Sequence, residues 1–264
     1  MVGLGHGLFA MASAALAIMI LAYGDFAPGQ PFAGWLPGRE AWVYGCALLL
    51  LGASAGLCFT RTALPGALLI GAYFAIWALV CVPAVLAQPL SIGAWYGVCE
   101  ALTSLAGAWI LYTLLRRQSP ASQIPIAGQR AVRAAQVVFG LCCVFYGYSH
   151  FAYADYTASM VPAWLPGPLG LAYVTGLGHA AGGIGVIVGI LPRLAATLEA
   201  LMMSLFGLLV WVPSFFAQPR PTWATPPQSQ WSELVVNLVL AAAAFLVAAS
   251  FSNRPWGFAP RSRA

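Results

Sequence analysis

Leu64-Pro-Gly-Ala-Leu-Leu-Ile-Gly-Ala-Tyr-Phe-Ala-Ile-Trp-Ala-Leu-Val-Cys-Val-Pro-Ala-Val-Leu-Ala87 runs without one charged side chain. Roughly 20 apolar helical residues cross the hydrocarbon layer of a bilayer, so this stretch reads as a membrane span. The rest of the chain has the same character. Of 264 residues 61% are hydrophobic and 6% charged, and the mean hydropathy is +0.85. Soluble domains carry roughly 25% charged residues. Six acids and eleven bases cannot cover a water-soluble surface of this size. Composition therefore excludes a cytosolic enzyme, a secreted disulfide scaffold and a nucleic-acid reader, and points to an all-α integral membrane protein.

Seven further stretches satisfy the same length rule: Gly5–Tyr23, Glu40–Phe59, Gly93–Leu115, Ala131–His150, Leu169–Ile190, Leu194–Ala217 and Trp231–Phe251. The first has no basic segment before it and no evident cleavage site, so it reads as a retained helix. All eleven bases are arginine, which removes Schiff-base lysine chemistry and the lysine of a phosphate-binding loop. Their placement orients the chain. With eight spans, Arg61, Arg116, Arg117, Arg130, Arg133, Arg193, Arg254, Arg261 and Arg263 fall on one side, and Arg39 and Arg220 on the other. Basic loops stay in the cytoplasm, so both termini are expected there, with the chain in a bacterial-type inner membrane.

The end of the opening stretch recurs. Val82-Pro-Ala-Val-Leu-Ala-Gln-Pro89 is echoed by Val212-Pro-Ser-Phe-Phe-Ala-Gln-Pro219. Working outward, Trp35-Leu-Pro-Gly38 is echoed by Trp164-Leu-Pro-Gly167, and Ala22-Tyr-Gly-Asp-Phe-Ala27 by Gly147-Tyr-Ser-His-Phe-Ala152; Glu100 answers Glu233. Matches in one order indicate an internal repeat. Four spans per unit is even, so the halves keep one orientation and form parallel repeats. The expected architecture is eight transmembrane helices as two four-helix bundles, with a first unit over 1–115, a polar cytoplasmic linker over 116–130, a second unit over 131–251 and a cytoplasmic tail over 252–264. Pro83 and Pro213 should kink or end their helices at matching depths. Trp35, Pro37, Trp164 and Pro166 have two readings: interfacial anchoring with a turn behind it, or a lid over a site between helices.

Ionisable groups inside a bilayer are costly, which makes each a candidate site. His179 lies near mid-membrane, in Gly176-Leu-Gly-His-Ala-Ala-Gly-Gly183, where small residues admit a neighbouring helix. It can donate to a ligand carbonyl or relay a proton, or it can be a hydrogen-bonding strut. His150 and Asp25 occupy equivalent places and could pair across the pseudo-axis, or sit in wet headgroups. Glu100 and Glu233 either cap their helices or rim a site beneath. Glu199 needs a partner on another helix, since Arg193 is poorly spaced. His6 is too shallow to contribute. The six cysteines (46, 58, 81, 99, 142 and 143) show no redox or zinc spacing and read as small hydrophobes. Gly52-Ala-Ser-Ala-Gly56 imitates a hydrolase elbow but lies inside an apolar helix, where such glycines serve packing. A haem between His150 and His179 is not expected, because helical rise separates them by roughly 12–15 Å in depth. No metal set is assignable, and no flavin, haem or iron–sulfur motif is present.

His150-Phe151, Pro162-Ala-Trp-Leu-Pro166, Thr175-Gly-x-x-His179, Gly182-Gly183, Pro192-Arg-Leu-Ala-Ala196 and Trp211-Val-Pro213 resemble the DoxX-like family of four-span membrane proteins. The second half looks like a full unit and the first like a diverged copy. Where many members carry a glutamate in the second helix of the unit, this chain has His179. The family takes its name from a subunit of an archaeal terminal quinol oxidase, and a relative takes part in thiosulfate oxidation with quinone as acceptor. The resemblance thus implies a redox-linked membrane subunit with a quinone- or lipid-like ligand near the outer leaflet. It would act as an accessory to an oxidoreductase partner rather than as a self-contained enzyme, alone or as a homo-oligomer. Two other readings stay open. One is a carrier or efflux protein for a small lipophilic molecule. The other is a non-catalytic scaffold using the GxxxG pairs Gly52/Gly56 and Gly178/Gly182 together with Gly185/Gly189.

Overall fold

The computed structural model describes residues 3–27, 30, 37–118, 128–217 and 227–257. Among them there is no strand. The long helices are α1 (Leu4–Tyr23), α2 (Arg39–Gly56), α3 (Ala63–Ala87), α4 (Ile92–Arg117), α5 (Gln129–Ala152), α7 (Pro168–Val188), α8 (Pro192–Phe206) and α10 (Pro227–Ser250). Each coincides within a few residues with one of the eight apolar stretches, α8 once its continuation to Ser214 is included. A short helix, α6 (Ala154–Met160), was not expected. From Phe206 the chain continues through a π turn, Gly207–Trp211, into α9 (Val212–Ser214).

Among the described residues seven helices are long and apolar enough to cross a membrane: α1, α3, α4, α5, α7, α8 with its extension to Ser214, and α10. The eighth expected span, α2, forms a helix of 18 residues but opens on Arg39-Glu40, which leaves too little apolar length for the same criterion. The chain is thus a multi-pass membrane protein.

Packing follows side-chain size. In sequence order each helix packs on the next within α1–α4, and α5, α7, α8 and α10 repeat that order. The two halves are not separate bundles, however. α10 lies against α1 and α4, and α4 lies against α5. Each half thus places its last helix on the first helix of the other. Composition explains why these two sit at the centre. Ala241, Ala242, Ala243 and Ala244 of α10 are buried, as are Ala106, Gly107 and Ala108 of α4. A Cβ on Gly107 would strike Ala243 at 2.5 Å, and one on Gly5 would meet Leu246 of α10 at 3.0 Å. Small residues let backbones approach, which is how helices associate where the solvent is itself apolar.

The Trp-Leu-Pro-Gly repeats have a local cause too. Gly38 and Gly167, each just before its helix, both have φ of 65°, a left-handed conformation that glycine adopts without steric cost. The two prolines behave differently from each other. Pro83 is carried inside α3. Pro213 follows the π turn, in which the Val212 N–H bonds Gly207 O. α3 at Ala63 and α8 at Pro192 begin 129 residues apart, whereas Val82-Pro83 and Val212-Pro213 are 130 apart. The π turn is where α8 takes up the additional residue, and such turns recur at functional sites.

Candidate functional site

α5 stops at Ala152 and α7 does not begin until Pro168. Between them α6 and the chain to Leu165 lie over a cavity of about 1160 Å³. Four of the five sequence-derived candidates, His150, His179, Glu100 and Glu233, line this one cavity. They reach it from four helices: α5, α7, α4 and α10. The cap contributes Tyr153, Tyr156, Met160 and Leu165, and Trp211 of the π turn lines the wall. A lid between helices was one reading of the second Trp-Leu-Pro-Gly motif. The cap is built instead by α6 and Leu165, while Trp164, 69% exposed, points away as an interfacial tryptophan would. Pro37 and Pro166 are exposed; Trp35 lies outside the described residues, as do Trp223, Arg220, Arg261, Arg263 and positions 119–127 of the linker.

His179 and Glu199 form the most deeply buried polar contact of the site. His179 Nδ1 and Glu199 Oε2 are 2.9 Å apart, and each side chain is 1% exposed. With the Nδ1–H donating to the carboxyl oxygen, Nε2 remains for other partners. Gly182, one turn beyond His179, makes the room: a Cβ there would sit 2.6 Å from Glu199 Oε1. Oε1 itself has no hydrogen-bond partner among the described residues. The partner that the Glu199 spacing demanded on another helix is therefore His179.

The depth assigned to the histidines needs correction. Their rings are 5.1 Å apart centre to centre, not separated by a dozen ångströms. The C-terminal end of α5 and the start of α7 are not level. α5 ends short, so His150 meets the second turn of α7, where Nδ1 bonds Thr175 Oγ1 at 2.9 Å and a Gly176 Cβ would strike the His150 Cβ. Around the two imidazoles, Phe206 stacks on His150 at 5.9 Å and Tyr146 meets His179 edge-on at 5.9 Å. Tyr96 stacks on Tyr146 and its hydroxyl is 2.6 Å from Ser149 Oγ, while Tyr146 hydroxyl bonds Thr103. These aromatics are not singled out by the sequence; two tyrosines and a phenylalanine within spans are the signal it offers. Among the described residues no three His, Cys, Asp or Glu side chains converge as a metal set.

Asp25 does not face His150. Its carboxylate pairs with the Arg39 guanidinium, itself set over the Phe26 ring. Both partners are partly exposed, at 45% and 31%, and such pairs contribute about 1 kcal/mol or less. Asp25→Asn should therefore change thermal stability in detergent only slightly, and a loss well beyond that would show a role we do not assign. Nor do the glutamates cap their helices. Ser91 caps α4, its Oγ accepting from Ala94 N–H, and Glu100 lies two turns further in. Glu233 sits similarly inside α10. Both carboxyl-bearing residues line the cavity. In the cap, burial and the Glu233 charge hold the Tyr156 phenol above its ordinary range, so it stays a hydrogen-bond donor.

Residues 132–212, from the start of α5 to α9, match the family model described as DoxX. Neither a curated protein nor a solved structure matches the chain. The matched stretch contains His150, His179, Glu199, the cap and the π turn. The match is confined to residues 132–212, and that stretch of the multi-pass chain is similar to the DoxX family.

Proposed function

We propose that the chain is a redox-linked membrane subunit that holds a quinone- or lipid-like ligand between its helices, near the outer leaflet of a bacterial-type inner membrane. One observation carries the reading: His150, His179, Glu100 and Glu233 converge on a single capped cavity of about 1160 Å³. Ligand sites are commonly apolar clefts of about 300–1000 Å³ with a few convergent polar groups, and this one is walled mainly by aromatic and aliphatic side chains. Quinone chemistry moves two protons along with two electrons. Imidazoles and carboxyls are the side chains suited to exchange them. Glu199 orients His179, leaving Nε2 to hydrogen-bond a ligand oxygen. A membrane partner protein would supply or remove the electrons. Both termini face the cytoplasm in this proposal, and α2 completes an eighth crossing; the repeated motifs support two tandem DoxX-like units.

Of the glycines behind the scaffold reading, Gly178 and Gly182 are packed against Met202 and Glu199 and Gly185 against Ala195, whereas a Cβ on Gly52 would meet nothing within 4 Å, so that face keeps the reading open. A carrier would use the same cavity, and the π turn beside it favours keeping that reading. Uptake of a small lipophile into proteoliposomes distinguishes the two.

The test is purification in mild detergent from the native membrane, followed by mass spectrometry of an organic extract and an oxidised-minus-reduced spectrum. We expect a near-stoichiometric quinone, lost in His179→Ala. An extract with no isoprenoid ligand and a flat spectrum overturns the redox reading.

A further inference from the structure

The two halves of the chain treat the same place in opposite ways. α2 at Arg39 and α7 at Pro168 begin 129 residues apart, as do α3 and α8. In that register Leu50 corresponds to His179, Ile70 to Glu199 and Trp77 to Phe206. Leu50 and Ile70 are fully buried, so an apolar pair replaces the buried His–Glu contact. Among the described residues, a void of about 30 Å³ lies in the first half beside Trp77, Gly97, Glu100 and Ser104. The place against Trp77 is taken by Phe26, 3% exposed, whose ring meets the indole edge-on at 5.1 Å. Its counterpart Phe151 is 39% exposed and stacks on Tyr173 at the surface.

One residue accounts for the difference. Gly24, with φ of 62°, ends α1 in the left-handed conformation and turns the following chain into the bundle. Its counterpart Ser149 stays helical, with its hydroxyl bonded to Tyr146 O. α5 therefore continues to Ala152 and carries Phe151 outward. Phe206, which Phe151 does not cover, lines the cavity with its ring against those of His150 and His179.

We infer that the ligand of the large cavity carries a planar aromatic or quinonoid ring seated against Phe206 and His150, the place that Phe26 takes against Trp77 in the other half. The inference rests on the ligand-binding reading above and narrows it to a ring-bearing head. The volume far exceeds one ring, so an apolar tail fills the remainder along Met160 and Leu165 of the cap.

The experiment compares two probes on the delipidated full-length protein in detergent: a short-tailed alkylnaphthalene, which is not redox-active, and a saturated alcohol of equal length. We expect the naphthalene to bind at one site per chain and more tightly than the alcohol. Phe206→Leu should weaken the naphthalene by about threefold to tenfold, the range for losing an aromatic contact, and leave the alcohol unchanged. Phe26→Ala, if it folds, should raise the naphthalene stoichiometry to two. Equal affinity for both probes, or a naphthalene affinity unmoved by Phe206→Leu, overturns the ring seat. A naphthalene seat that depends on Phe206, with no quinone in the native extract, upholds this inference and sinks the redox reading. A native quinone whose retention ignores Phe206→Leu does the reverse.

Discussion

Glu199→Leu should lower stability in detergent by about 3–5 kcal/mol, the cost of removing one partner of a buried polar pair. The substitution leaves the His179 Nδ1–H facing hydrocarbon, in a spot where both side chains are 1% exposed. Water cannot replace the lost acceptor there. Glu199→Gln keeps an oxygen for the same bond and should recover most of the loss, even though it removes the charge. The double change His179→Leu with Glu199→Leu should cost less than Glu199→Leu alone, because it removes both polar groups together, as Leu50 and Ile70 do in the first half. Chemical or thermal denaturation of the three variants decides the matter. If Glu199→Leu and the double variant are equally damaging, the cost comes from packing and the pair is not the cause. Ligand retention gives a second readout: Glu199→Gln should weaken it if fixing the orientation of His179 requires the full carboxylate.

The second large effect is expected at the crossing of α5 and α7. A Cβ on Gly183 would clash with Gly140 O and lie 2.9 Å from Val144 N; one on Gly140 would lie 2.6 Å from Ile187 and 2.7 Å from Gly183 O. Backbone atoms stand on both sides, so neither glycine can accept a side chain unless the helices part. Overpacking of this kind costs about 1–3 kcal/mol, and more where backbone must move. Gly183→Val should therefore sit at or above the top of that range. It should also enlarge the gap between His150 and His179, whose 5.1 Å contact depends on the same approach. By contrast Gly52→Val, where nothing lies within 4 Å of the added carbon, should fold normally. Parallel measurement of unfolding and detergent-phase monodispersity for the two variants checks this. Equal tolerance would show that α5 and α7 are less tightly held than their backbone contact implies.

Much of this molecule was legible along the chain. Hydropathy located every long helix, because a backbone in hydrocarbon must satisfy its hydrogen bonds internally and helices do so within one segment. The repeated motifs pointed to the interfacial turns, since Gly38 and Gly167 perform the same left-handed turn. Scarcity located the candidate residues: with six acids and three histidines in 264 positions, almost any ionisable group within a span stood out.

What escaped was everything that depends on the relative level and contact of helices. Linear spacing put His150 and His179 at different depths, because nothing in it shows that α5 ends short and that α6 covers the gap. It made Asp25 the equal of His150, because one glycine at position 24 against serine at 149 changes where a helix stops, and so which way the next phenylalanine faces. It left Glu199 without a named partner, since a hydrogen bond between α7 and α8 follows from which faces meet. Composition and periodicity are properties of single segments, and those a chain reveals directly. The cavity exists only because four helices contribute to it at one level, and that arrangement is set by close backbone contacts at Gly107, Gly140 and Gly183, between residues far apart in order.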